Sequence, residues 1–160
     1  MPAYVGVGSN VGDPVAQVRT AFEALGRLPG TRLVSTSHLY RTRPFGPVAQ
    51  DDFVNAVAGL LTQLPPAELL DGLRRIEADQ GRVRAERWGP RTLDLDLLVY
   101  GAQRIDTDAL KVPHPGIAER GFVLQPLADV APRLEVPALG SVAELLARLP
   151  ATGIEGRMDP

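Results

Sequence analysis

A chain of 160 residues that is 44% hydrophobic is long enough to bury one sizeable core, and nothing in it calls for a second domain. With no Cys it has neither a disulfide framework nor a thiolate nucleophile, and 2 His are too few for a His-rich zinc site, which leaves hard, oxygen-ligated metals. A net charge of −2 argues against nucleic-acid binding, and the lack of a long apolar run or of a basic and apolar leader after Met1 predicts a cytoplasmic protein with no membrane partner.

In chain order, Tyr4 to Gly8 is short and apolar enough for a first strand, and Ser9-Asn10-Val11-Gly12 is a turn. Asp13 and Pro14 open a helix as N-cap and first residue, and Val15, Val18, Phe22 and Leu25 form its apolar face up to about Gly26. Residue 11 is Val where a dinucleotide-binding G-x-G-x-x-G needs its third Gly, and no G-K-[ST] follows, so both phosphate-loop fingerprints fail. Two β-rich segments, Arg32 to Tyr40 and Phe53 to Leu61, flank a linker from Arg41 to Asp52 that is long for a hairpin and reads as a functional loop. Asn55 is the odd residue of the second segment: a bulge or edge residue, or an amide that reads a heterocycle. Pro66 opens a second helix with Leu69, Leu73 and Ile76 buried and Gly81 as its stop.

Next comes a cationic loop in which Arg82, Arg84, Arg87 and Arg91 are interspersed with Gly89 and Pro90, suited to bidentate phosphate contacts. Its Trp88 either closes over a flat ligand or folds back on the core. From Thr92 to Tyr100 apolar and polar residues alternate and then turn apolar, the pattern of a strand entering a core. Leu93, Leu95 and Leu97 then point inward, and Asp94 and Asp96 share the other face about 6.6 Å apart. Such a pair either holds Mg²⁺ ions against a phosphate chain or is neutralised by nearby arginines. Further on lie a short strand at Ile105, His114 between two prolines, which is idle or functional, the triplet Arg120-Gly121-Phe122, and a last helix from Ser141 to Leu149. Ile154-Glu155-Gly156-Arg157 resembles a protease tag site, and residues 151–160 are expected to form a flexible tail. Strand, helix, strand, strand, helix, strand predicts a ferredoxin-like α+β sandwich, a mainly antiparallel sheet flanked by helices with long active-site loops.

The run from Arg87 to Leu98, RWGPRTLDLDLL, resembles the signature of the 6-hydroxymethyl-7,8-dihydropterin pyrophosphokinases, folate-pathway transferases that move a diphosphate from ATP to a pterin alcohol and release AMP. The resemblance extends from Gly8-Ser9-Asn10 to about Pro132 and implies a similar fold, with residues 1–160 as one pyrophosphokinase domain. It implies two Mg²⁺ ions on Asp94 and Asp96, with Arg82, Arg91 and Asp96 catalytic and Asp96 as one candidate acceptor for the pterin hydroxyl's proton. ATP would meet Glu77, Arg82, Arg84, Arg91, Leu97, His114 and Arg120, with Glu77 and Leu97 as a nucleotide-side wall. The pterin would lie between Phe53 and Phe122, beside Thr42, Pro44, Phe45, Asn55 and Asp94, with Trp88 closing the site. A monomer acting on the two small molecules is expected. Phe53 replaces a familiar Tyr, Pro115 stands where an aromatic is common and Arg74 where Gln is common, departures that bear on nucleotide contacts. The rival readings are a two-metal nuclease, which would need more acids and a basic track, and a ferredoxin-like RNA-binding module, which 5% aromatic content disfavours.

Overall fold

The computed structural model describes residues 1–43, 50–81, 93–150 and 154–160. Strand β1 (Pro2–Ser9) runs up the centre of the sheet and leads into helix α1 (Pro14–Gly26), whose N-cap Asp13 accepts a hydrogen bond from the Ala16 amide. Strands β2 (Thr31–Thr36) and β3 (Leu39–Thr42) then pair in succession with one long strand, β4 (Phe53–Thr62). The single β-rich segment expected between residues 32 and 40 is thus two strands. They part at Ser37, whose amide donates to the Val57 carbonyl while its hydroxyl accepts from the Val57 amide, so local side-chain bonding replaces one step of the ladder.

Helix α2 (Pro66–Asp79) buries Leu69, Leu73 and Ile76, and Gly81 follows it with a φ of 81°, a conformation that suits glycine and stops the helix. Strand β5 (Asp94–Tyr100) adds to the free side of β1, giving the order β3-β4-β1-β5 with β2 also paired to β4, and a last strand, Ile154–Met158, beside β3 completes the six-stranded sheet. All neighbours are antiparallel, and the path β1-α1-β2/β3-β4-α2-β5 is the ferredoxin-like arrangement. A hairpin of β6 (Ile105–Asp106) and β7 (Lys111–Val112) precedes a 3₁₀ turn at Ile117–Glu119 and helix α3 (Gly121–Val130). Strands β8 (Glu135–Val136) and β9 (Gly140–Ser141) lead to α4 (Val142–Ala147), capped by Ser141. The chain ends on β10 (Ile154–Met158), which pairs with β3.

That last strand corrects the expectation of a flexible tail. Residues 154–158 cover an edge of the sheet that would otherwise expose backbone donors and acceptors, and Met158 packs against the core.

Two cores lie on the two faces of the sheet. Ala3, Val5, Val7, Val54, Ala56, Leu95 and Leu97 meet α1 and α2 on one face, and Val57, Leu98 and Val99 meet α3 and α4 on the other. A bulge between Val5–Leu97 and Tyr4–Val99 shifts the alternation in β5, so Leu98 and Val99 serve the second core while Tyr100 returns to the first. Asp129 near the end of α3 accepts from the His38 amide and, at 2.6 Å, from the Tyr40 hydroxyl, which fixes α3 against β3. Burial and that carboxylate push the Tyr40 hydroxyl up to about 12.

Candidate active site

Because strand side chains alternate, the face of β1, β4 and β5 turned away from α1 and α2 carries Gly6 and Gly8, Phe53 and Asn55, and Asp94 and Asp96. The register sets them in rows. Gly8 is opposite Asn55 on one side and Asp94 on the other, Gly6 is opposite Asp96, and on β3 Thr42 is opposite Phe53. The glycines form a bare floor between an amide and two acids. A Cβ on Gly8 would fall 2.6 Å from Asn55 Oδ1, so glycine there lets the Asn55 amide lie where it does, and a side chain would displace it. The sequence pattern that failed as a dinucleotide fingerprint therefore has a different cause.

Asn55 Nδ2 donates to Thr42 Oγ1 at 2.7 Å. Just past β1, the buried Asn10 donates to Gln50 Oε1 at 2.7 Å and to the Asp51 carbonyl at 2.9 Å, tying the turn after β1 to the end of the β3–β4 linker. The far wall comes from the segment that leads into α3. His114 is held against β5 by its amide, which donates to the Leu98 carbonyl at 2.9 Å, and Arg120 and Phe122 stand at the start of α3 with the guanidinium carbon 5.9 Å from the ring centre. Together Thr42, Phe53, Asn55, Asp94, Asp96, His114, Arg120 and Phe122 line one cleft of about 470 Å³.

The electrostatics follow from this crowding. Burial, and then the neighbouring Asp94, push the Asp96 carboxyl up to about 7, with Arg74 and Arg120 opposing and Glu77 adding to the rise. Burial and then Arg120 hold His114 below its usual value, against an opposing pull from Asp94. His114 Nδ1 accepts the Gly116 amide at 3.2 Å, which places the ring proton on Nε2, 4.0 Å from Asp96 Oδ1. A neutral donor thus faces an acid pair that resists full ionisation without a cation. Among the described residues no cluster of three or more metal-ligating side chains exists. Two carboxylate ligands and no soft donor fit Mg²⁺, which keeps part of its shell for water and substrate phosphate oxygens.

Of the residues expected here, Arg82, Arg84, Trp88, Arg91, Pro44 and Phe45 lie outside the described residues. Glu77 and Leu97, expected as a nucleotide-side wall, do not line this cleft. Both are 3% exposed and on the α1/α2 side of the sheet, where Leu97 is core and Glu77 bonds to the β5 backbone. Gly6, Gly8, Arg43, Glu119 and Val123 also line the cleft and were missed. Two glycines spaced by two within an apolar strand were the available signal for the first pair.

A concave site lined by paired acids, an arginine, a neutral histidine, two phenylalanines and an amide suits a polyphosphate joined to a flat heterocycle. The model of 7,8-dihydro-6-hydroxymethylpterin-pyrophosphokinase (HPPK) matches residues 4–132. The 2-amino-4-hydroxy-6-hydroxymethyldihydropteridine pyrophosphokinase of Pseudomonas aeruginosa is 54% identical over 95% of this chain and 94% of its own, and that of Haemophilus influenzae is 47% identical over 90% of each. The corresponding protein of Methylorubrum extorquens is 46% identical over 96% of both chains. A crystal structure of Plasmodium falciparum HPPK-DHPS superposes with a TM-score of 0.75 at 14% identity, a likeness of fold, over 92% of this chain; the chain spans 43% of that longer one. The chain belongs to the HPPK family.

Proposed function

We infer that this enzyme transfers a diphosphate from ATP to the hydroxymethyl group of 6-hydroxymethyl-7,8-dihydropterin, a step of folate biosynthesis, and that it does so in the cleft between β1, β4, β5 and the start of α3. Family membership supports the reaction. The observation that supports the place is that one cleft joins the acid pair to Asn55 and the two phenylalanines.

In this reading Asp94 and Asp96 hold two Mg²⁺ ions, which when bound neutralise phosphate charge and fix the phosphate chain. Arg120, with Arg82 and Arg91, binds the phosphates, and His114 donates from Nε2 to a phosphate oxygen without adding charge. Phe53 and Phe122 sandwich the pterin ring, and Thr42 and Asn55 bond its edge, exchanging their mutual hydrogen bond for bonds to the ligand. The pterin oxygen attacks the β-phosphorus in line, the bond from that phosphorus to the α–β bridging oxygen breaks, and AMP leaves with that oxygen. The hydroxyl proton goes to Asp96 or to solvent. Closure of the 41–52 and 82–91 segments over the ligands would exclude competing water. We further propose that residues 1–160 form one pyrophosphokinase domain acting as a monomer in the cytoplasm.

Asn55→Ala tests the placement. Leaving a heterocycle donor or acceptor unmatched costs about 1–3 kcal/mol, so the KM for the pterin should rise about tenfold or more while the KM for ATP stays within twofold. Equal losses for both substrates would remove Asn55 from the pterin site.

A further inference from the structure

Strand β5 is the last in the sheet order, so its outer side has no neighbouring strand among the described residues. Leu95 lies there between Asp94 and Asp96 with its side chain fully buried. Its amide donates to Glu77 Oε2 at 2.8 Å, and its carbonyl accepts from Arg74 Nη1 at 3.1 Å. The same Arg74 nitrogen donates to Glu77 Oε1 at 2.9 Å. One carboxylate and one guanidinium from α2 thus take the part of the missing strand at this single residue.

A carboxylate that is 3% exposed is costly to bury unless its oxygens are bonded, and a leucine would fill the same space at less cost. What the ion pair supplies is position. Asp94 and Asp96 are the covalent neighbours of Leu95 and point to the opposite face, so fixing the height and tilt of the Leu95 peptide fixes both Cα–Cβ directions. The two acids repel one another, and an unsupported outer strand would yield to that repulsion.

We propose that Arg74 and Glu77 are positioning residues that hold the acid pair in its metal-binding arrangement by clamping the outer edge of β5. This deepens the reading above and rests on Asp94 and Asp96 being the Mg²⁺ ligands. It gives Glu77 a part in holding the acid pair besides the place near ATP that the resemblance implies, and it gives Arg74 a part that the usual Gln would fill without charge. Outer contacts of this kind set how well ligands already in place hold a metal.

Two measurements on the full chain test it. In the ligand-free protein, hydrogen exchange of the Leu95 amide should speed up at least tenfold in Glu77→Ala, with smaller changes at the Asp94 and Asp96 amides, which face β1. In the assay, the Mg²⁺ concentration for half-maximal rate should rise at least tenfold, with the pterin KM within twofold. Glu77→Gln keeps an acceptor for the Leu95 amide and should recover most of both properties. Should Glu77→Ala not fold, Arg74→Met removes the bond to the Leu95 carbonyl and the bond to Glu77 Oε1 while leaving the Glu77 bond to the Leu95 amide, and is read in the same two ways, with smaller shifts expected at that amide. The clamp is overturned if Leu95 stays protected in Glu77→Ala. It is overturned equally if exchange quickens while Mg²⁺ dependence stands still, or if only the KM for ATP rises at saturating Mg²⁺. An absence of pterin-dependent AMP formation in the unaltered protein would instead overturn the assignment of function, and the exchange result would stand apart from it.

Discussion

Asp96 binds a proton more readily in the folded chain than out of it: its carboxyl is pushed from an ordinary 3.8 to about 7, by burial first and by Asp94 next. The folded state therefore holds the extra proton between these values, and stability falls as pH rises through that window. The side chain is 35% exposed, so solvent screening cuts the effect to about 1 kcal/mol. Asp96→Asn should then raise the ligand-free Tm by about 2–4 °C at pH 8 and leave it unchanged at pH 4, while lowering turnover by orders of magnitude. A lower Tm at pH 8 with activity retained would mean a structural ion pair instead. Phe122→Ala should weaken pterin binding by about 1–3 kcal/mol and spare ATP; calorimetry that finds both ligands equally affected would assign the ring to the core. At this scale the acid pair was legible because a period of two admits one register only, with three leucines inward. The burial of Glu77 was not legible, because beside Arg74 on its own helix its other partner is a backbone amide of another element, which leaves no mark in residue spacing.

Among the elements, β1, α1, β4, α2 and β5 follow from their apolar spacing and caps, as expected from the residues alone. Helix α3 was not foreseen. Pro126 within it reads as a breaker, and only tertiary burial of Leu124 and Leu127 offsets the hydrogen bond it forgoes. Strand β10 was missed for a related reason: a short segment with Gly and two charges has little strand propensity, and its partners are distant in the chain, Ile154 lying opposite Thr42 and Met158 opposite Leu39. Deleting residues 154–160 should expose the outer edge of β3, speed amide exchange at residues 39–42 and lower Tm by about 2–4 °C, with the amides of β1 and β4 keeping their protection. Unchanged exchange at residues 39–42 would show that β10 does not hold that edge in solution.

For the molecule as a whole, a net charge of −2 conceals a division of labour. The acids lie on the sheet at Asp94 and Asp96, Arg120 stands on the facing wall, and Phe53 and Phe122 border the same cleft. Such a site is built to separate AMP from diphosphate, so the product pattern is its most direct reading. Phosphorus NMR of MgATP with 6-hydroxymethyl-7,8-dihydropterin and the enzyme should show AMP and pterin diphosphate appearing in equal amounts, with no signal growth when the pterin is left out. Release of ADP, or AMP and free diphosphate formed at the same rate without pterin, would contradict the account.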